Sequence, residues 1–302
     1  MRDFRSLPEL PPKPHDFQSL ARHSVKVALP GRVAPIELSY VEAGSGPPLL
    51  LVHGLMTSAY SFRYVISELA KSHRVLALDL PGAGKSEAPA NLSQRPQELG
   101  GVINAFIDAL QLKRPYVCGN SMGGYLALWA ALLAPEKIGR VMLMHAPGVV
   151  EGRLYLLNAI LSMPGARGLF RLFTRNHEQF ALTNVHYRDE SLKSREETRE
   201  YARWSSEPAA RELFFRHLWQ TMNPAEMKRL PPAIAEARAA HKLVPTRLLW
   251  SDWDPLVPPA FGPRYKKLLP EAELVWLKDT SHFLHVDTPQ PAIDEILRFA
   301  AP

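Results

Sequence analysis

Cysteine is almost absent: the 302-residue chain carries one, Cys118. A single thiol excludes an intrachain disulfide and a cysteine-based metal cluster, and it suits a reducing compartment. Long apolar runs are missing as well. The longest, "YLALWAALLA" from Tyr125, is about half of the roughly 20 residues needed to cross a bilayer. The N-terminal "MRDFRSLPELPPKPHDF" scatters charges where a signal peptide would need an apolar stretch. These absences lead to the expectation of a cytoplasmic protein without a transmembrane segment. The formal charge is +6, yet Lys and Arg are dispersed among Asp and Glu with no basic block, so a mixed solvated surface is expected rather than a nucleic-acid partner.

A phosphate loop is also missing, although the ending of one is spelled. "LDLPGAGKSEAP", from Leu78, contains Gly84-Lys85-Ser86, the end of the nucleotide-cradling G-x-x-x-x-G-K-[ST] pattern. The first glycine of that pattern would fall at position 79, which is Asp79, a carboxylate where phosphates need backbone donors. Pro89 and Pro96 then interrupt the stretch where a phosphate-binding helix would start. The segment therefore reads as a turn, with Lys85 an exposed charge.

What is present is ample core material, 46% hydrophobic residues, organised in alternation. Short apolar runs, "PLLLVHG", "HRVLALDL", "PYVCGN" and "RVMLMHAPG", read as strands covered on both faces. Helical patterns lie between them, clearest from Pro96 and from Ser121. "SVKVAL" and "IELSYVEAG" have no helix between them and predict an antiparallel hairpin. From Gly148 to His241 only helical patterns appear, including "RLYLLNAILSM", "TREYARWSS" and "ARELFFRHLWQTM"; a loop of that length would need its own structure. Strands resume with "TRLLWS" and "AELVWLKD", and "PQPAIDEILRFA" closes the chain as a helix. The expected organisation is an α/β core in two parts, residues 1–147 and 242–302, with a helical cap at 148–241. The Pro-rich N-terminus reads as an extended lead-in.

The decisive motif is "VCGNSMGG". Gly119-Asn120-Ser121-Met122-Gly123 is G-x-S-x-G at a strand-to-helix junction, which lifts a serine hydroxyl to the sheet edge at a helix N-terminus. A serine needs a general base and a carboxylate that orients it. Candidate acids, Asp252 and Asp254, follow one downstream strand; candidate bases, His282 and His285, follow the next. Ser, then Asp, then His is the chain order of this architecture. The H-x-x-H spacing of the two histidines lacks the partners of a zinc site. Cys118, one residue before the elbow in a buried strand, reads as a small core hydrophobe.

With these motifs the chain resembles the α/β-hydrolase family over essentially its whole length, adding "HGLMTS" after the third strand and "DLPGAGKS" after the fourth. The resemblance implies a mostly parallel eight-stranded sheet with an inserted helical cap. Its acid loop, G-x-x-D-x-x-x-P, selects Asp254 with Pro258, although Ser251 replaces the glycine. Its histidine loop, G-H-x-x-x-x-E-x-P, selects His282 with Pro289, although Ser281 and Asp287 depart from the pattern. His285 is then a structural or pocket residue, and His53 a loop organiser. The resemblance also implies an oxyanion hole from the N–H groups of Leu55 and Met122, and it makes Asp79 and Ser86 parts of the family turn.

Relatives with aspartate at the elbow open epoxides or remove halogens; Ser121 implies acyl transfer instead. The elbow "GNSMGG" is similar to that of hydrolases cleaving carbon-carbon bonds in aromatic ring-fission products. Those carry a glycine-rich oxyanion loop and a tryptophan after the histidine, whereas this chain has "HGLMTS" and Phe283. The expected function is hydrolysis of a small, apolar carboxylic ester by Ser121, His282 and Asp254, with neither metal nor cofactor. Trp204, Phe214, Phe215, Leu218, Trp219 and Phe283 are candidates for the substrate pocket. The alternatives are a carbon-carbon hydrolase, a cofactor-free perhydrolase or acyltransferase, and a ligand receptor on the hydrolase fold.

Overall fold

The computed structural model describes residues 3–300, so the first two and the last two residues of the expected core lie outside the described residues. Its strands, in chain order, are β1 (Ala21–Val27), β2 (Ile36–Ala43), β3 (Pro48–Val52), β4 (Arg74–Leu78), β5 (Tyr116–Asn120), β6 (Arg140–Met144), β7 (Thr246–Ser251) and β8 (Glu273–Leu277). They form one 8-stranded sheet in the order β1-β2-β4-β3-β5-β6-β7-β8. The predicted hairpin is there: β2 runs antiparallel to β1 and to β4. From β4 through β3 to β8 every pairing is parallel.

Both faces are apolar because both are covered. Leu50, Val52, Leu76, Val117, Val141 and Trp250 point into one core, filled from outside by the helices Pro96–Ala109 and Met122–Leu133. Leu49, Leu51, Val75, Cys118, Met142 and Leu249 point into the other, closed by the helix Pro289–Ala300. Cys118 is fully buried there, and burial pushes its thiol pKa up; it is a core residue with no thiolate chemistry.

The turn that mimics a phosphate loop is built around Asp79. Its Oδ1 accepts from Ala59 N (2.8 Å), and its Oδ2 accepts from Lys85 N (3.1 Å) and from Arg22 Nη1 (2.6 Å). Gly84, at φ 52°, lets the chain wrap the carboxylate so tightly that a Cβ would sit 2.2 Å from Asp79 Cγ. The backbone donors of this turn are already committed, Lys85 N to this side chain, Gly82 N to Glu87 O and Ser86 N to Ala83 O. Lys85 itself is exposed.

Between β6 and β7 the described chain is helical with no strand: Gly152–Ser162, Ala166–Phe173, His177–Asn184, Arg195–Ser206, Pro208–Thr221, Pro224–Met227 and Leu230–Ala239. The last of these sends Leu230 and Ile234 into the sheet's own core. The rest is seated on the core by a buried ion pair, Arg63 Nη2 to Glu197 Oε1 at 3.0 Å. The Arg63 guanidinium lies over the rings of Tyr60 and Tyr64 and donates to Tyr201 Oη. The N-terminal lead-in is more than an extended arm. Phe17 is buried in the second core, Lys13 Nζ donates to Asp287 O (2.8 Å), and Pro8 O accepts from Arg195 N (2.9 Å). It thereby straps the insertion to the loop that carries His282.

Candidate active site

Parallel strands bring their following loops to one edge of the sheet, and every candidate residue lies on such a loop. Ser121 follows β5 directly, at φ 55° and ψ −127°. A non-glycine residue held there costs about 1–3 kcal/mol, which the surroundings must over-determine. They do so on two sides. Ser121 N donates to Met144 O on the neighbouring strand (2.7 Å). Behind it, Gly123 lies so close to β3 that a Cβ would meet Val52 O at 2.1 Å. Any side chain at 123 would push the helix off the strand. The Met122–Leu133 helix starts immediately after Ser121, so its first N–H groups have no partner within the helix and face the edge.

Of the two acids, Asp254 is buried and Asp252 exposed. Asp254 Oδ1 accepts from Leu256 N (2.7 Å) and Val257 N (2.8 Å). Its Oδ2 lies 2.6 Å from His282 Nδ1. A carboxylate in that position fixes the proton on Nδ1 and leaves the Nε2 lone pair free to act as a base. Burial opposes ionisation of Asp254, but His282 and His145 outweigh it and hold the carboxyl well below its usual range. Asn120 Nδ2 donates to His282 O (2.9 Å), tying the elbow to the histidine loop. Asp287, where the family pattern has glutamate, accepts from Ser281 N (2.8 Å) and Arg188 N (3.0 Å) and braces that loop.

The sequence reading missed His145, which follows β6. Its Nδ1 lies 2.8 Å from the same Asp254 Oδ2, a close contact off the line of a hydrogen bond. Its Nε2 accepts from Ser251 N (2.9 Å), so the proton sits on Nδ1, toward the carboxylate. Burial, against Asp254, lowers the His145 pKa and keeps it neutral. His145, Asp254 and His282 are close enough to be considered as metal ligands, but their donor atoms are already engaged with one another through one oxygen. The only sequence signal for His145 is its place directly after an apolar strand, which no motif distinguishes from other loop residues.

The other histidines fall elsewhere. His53 Nε2 accepts from Leu80 N (3.0 Å) and its Nδ1 donates to Gly54 O (2.8 Å), which organises the loop before Leu55. His285 is fully buried against Phe62, and burial lowers its pKa to about 3. His217, from the insertion, hydrogen-bonds Gln94 Oε1 (2.9 Å) and sets Nε2 against the sulfur of Met122.

A cavity of about 450 Å³ connects these parts. Ser121, His282, Leu55 and Met122 line it, with Phe214, Leu218 and Phe283 from the expected pocket set. Leu154, Leu157, Phe180, Val185 and Met222 add an apolar wall that the sequence reading did not name. Trp204 lines a smaller adjoining cleft, stacked on Phe214 at 3.7 Å between ring centroids. Phe215 and Trp219 do not line the cavity, which corrects that part of the expectation. Phe215 packs on Phe170 with Arg167 over its ring, and Trp219 Nε1 donates to Ser162 Oγ (2.9 Å). On the Pro208–Thr221 helix, 214 and 218 share one face and 215 and 219 the next.

A doubly covered parallel sheet with a serine elbow, and with acid and histidine loops at its carboxyl edge, defines the class. The chain belongs to the alpha/beta hydrolase fold family, whose model matches residues 47–289. It is 29% identical over 255 residues to the uncharacterized hydrolase YugF of Bacillus subtilis, spanning 83% of this chain and 89% of that one. It is 31% identical over 222 residues to a 2-hydroxymuconate semialdehyde hydrolase of Pseudomonas sp., spanning 72% of each. Among solved structures, the epoxide hydrolase CorEH without ligand superposes with a TM-score of 0.75 at 21% identity, over 92% of this chain and 98% of that one. That likeness concerns the fold.

Proposed function

We propose that the protein hydrolyses an apolar carboxylic ester through an acyl-enzyme on Ser121. The observation that carries this reading is the Asp254–His282 pair at 2.6 Å on the same cavity as Ser121. His282 Nε2 takes the Ser121 proton as Oγ attacks the ester carbonyl. The N–H groups of Met122 and Leu55 receive the oxyanion, each worth about 3 kcal/mol of barrier. His282 then returns the proton to the leaving alcohol. A water, deprotonated by the same nitrogen, attacks the acyl-enzyme and releases the acid with Ser121 restored. Asp254 keeps the imidazole in the required tautomer throughout. The helical insertion acts as the cap that shapes the acyl pocket with Phe214 and Leu218.

The 31% identical ring-fission-type hydrolase supports a second reading, carbon-carbon cleavage with the same residues. The cavity wall favours the ester: it is mostly aliphatic and aromatic, and its one arginine, Arg153, is held by Glu151 (2.6 Å) and by Leu256 O (2.8 Å). Turnover of p-nitrophenyl esters of graded chain length tests the proposal. Hydrolysis that improves with acyl length and is lost in Ser121→Ala is expected. Inertness to every ester, with cleavage of a ring-fission product, would replace the ester reading by the carbon-carbon one. Saturable ligand binding without turnover would make the protein a receptor.

A further inference from the structure

The first two helices of the insertion have an inner and an outer apolar face. On Gly152–Ser162, Leu154 and Leu157 line the cavity, while Leu156, Ile160 and, just beyond, Met163 face outward with exposures of 65%, 44% and 62%. On Ala166–Phe173, Phe170 packs inward on Trp204 and Phe214. Leu169, Leu172 and Phe173 face outward, and Phe173 is 70% exposed. Large apolar side chains concentrated in this way mark an interaction surface. The stretch from Gly152 to Arg175 contains Arg153, Arg167, Arg171 and Arg175 and no Asp or Glu; Arg153 pairs with Glu151 just before it and Arg167 with Glu212. Arg171 and Arg175 have no ion-pair partner among the described residues. Arg175 also borders an open basin of about 700 Å³ with Leu172, Phe173 and Glu178, where Arg199 and Arg203 are already paired with Glu9 and Glu200.

We infer that this outer face docks on an anionic lipid surface. Outward leucines and a phenylalanine flanked by arginines, on a pair of short helices, form the pattern that lies in a headgroup boundary: apolar side chains enter the acyl region and guanidinium groups meet phosphates. No helix among the described residues is long and apolar enough to cross a membrane, so the contact is peripheral. Charge selects this occupant over a second copy of the chain, because the same basic face on a partner would repel it. Docking sets the wall of the cavity against the bilayer, where apolar esters partition. The inference stands on the surface alone and does not depend on the ester reading, since binding is measured without turnover.

The test is flotation of the full-length protein with phosphatidylcholine/phosphatidylglycerol vesicles against pure phosphatidylcholine vesicles, at low and high salt. Binding to the anionic vesicles that salt weakens is expected. Arg171→Glu and Arg175→Glu should each weaken it about fivefold or more, and Leu172→Asp/Phe173→Asp should abolish it. All four positions are exposed, so circular dichroism and thermal melting should match the parent. No flotation, equal binding to both vesicle types, or binding indifferent to these substitutions would overturn the inference. So would a dimer in light scattering that Leu172→Asp/Phe173→Asp dissociates, because the face would then be a self-association surface.

Discussion

Asp254 is the residue on which most of the site converges. Four N–H groups approach it: two backbone donors on Oδ1, and the rings of His282 and His145 on Oδ2. His145 is anchored by Ser251 N and held at φ 50°, so we expect it to act as a positioning residue, fixing the carboxylate toward His282. His145→Ala should lower kcat about tenfold with KM little changed, as for loss of a polar N–H that sits against the buried carboxylate and fixes its orientation. His145→Asn, which keeps an N–H and tolerates a positive φ, should recover part of that loss. Ester kinetics on both variants checks this; a His145→Ala variant with lower melting temperature and unchanged kcat would reduce the residue to packing.

The residue scale is also where the sequence was most legible. Ser121 was singled out by type, order and strand context, and Asp254 over Asp252 and His282 over His285 by the resemblance of their loops to the family's acid and histidine loops. His145 was missed because no motif marks it: it enters the site through the φ of one residue after β6. The Lys85 turn shows the converse, a motif fragment whose backbone donors are spent within the turn, on Asp79 and on neighbouring carbonyls.

At the scale of elements, strand-helix alternation in the sequence was enough for the sheet, because strands buried on both faces cannot avoid apolar runs. Helices of the insertion were legible as helices but not in what their faces touch. Phe214 and Leu218 reach the cavity and Phe215 and Trp219 do not, a difference of one helical position that depends on how the Pro208–Thr221 helix is rotated. That rotation is set by tertiary contacts far away in sequence.

The seat of the Arg195–Ser206 helix is such a contact, the Arg63–Glu197 pair, which Tyr187 joins by hydrogen bonding Glu197. Burial pushes the Glu197 carboxyl up to about 7 even with Arg63 beside it. Removing Arg63 strands the acid: Arg63→Leu should destabilise the protein by about 3–5 kcal/mol. Arg63→Leu/Glu197→Leu should recover much of it. The sign with pH follows from linkage. A carboxyl whose folded pKa is raised binds its proton more tightly when folded, so the penalty is absent below the ordinary value of 4.5 and grows as pH rises above it. Denaturant titrations of Arg63→Leu should therefore show a smaller deficit in mild acid than at neutral pH. A double variant as unstable as the sum of the singles would contradict this picture.

For the whole molecule, the loops at the sheet edge and the insertion line one cavity, and we propose Ser121 as its nucleophile. Its most direct test is labelling with a fluorophosphonate, followed by peptide mapping. Modification at Ser121 alone is expected, absent in Ser121→Ala and slowed by about three or four orders of magnitude in Asp254→Asn, where the tautomer of His282 is no longer fixed. An unlabelled Ser121 in folded protein, or labelling that ignores Asp254, would contradict an activated serine at the centre of the site.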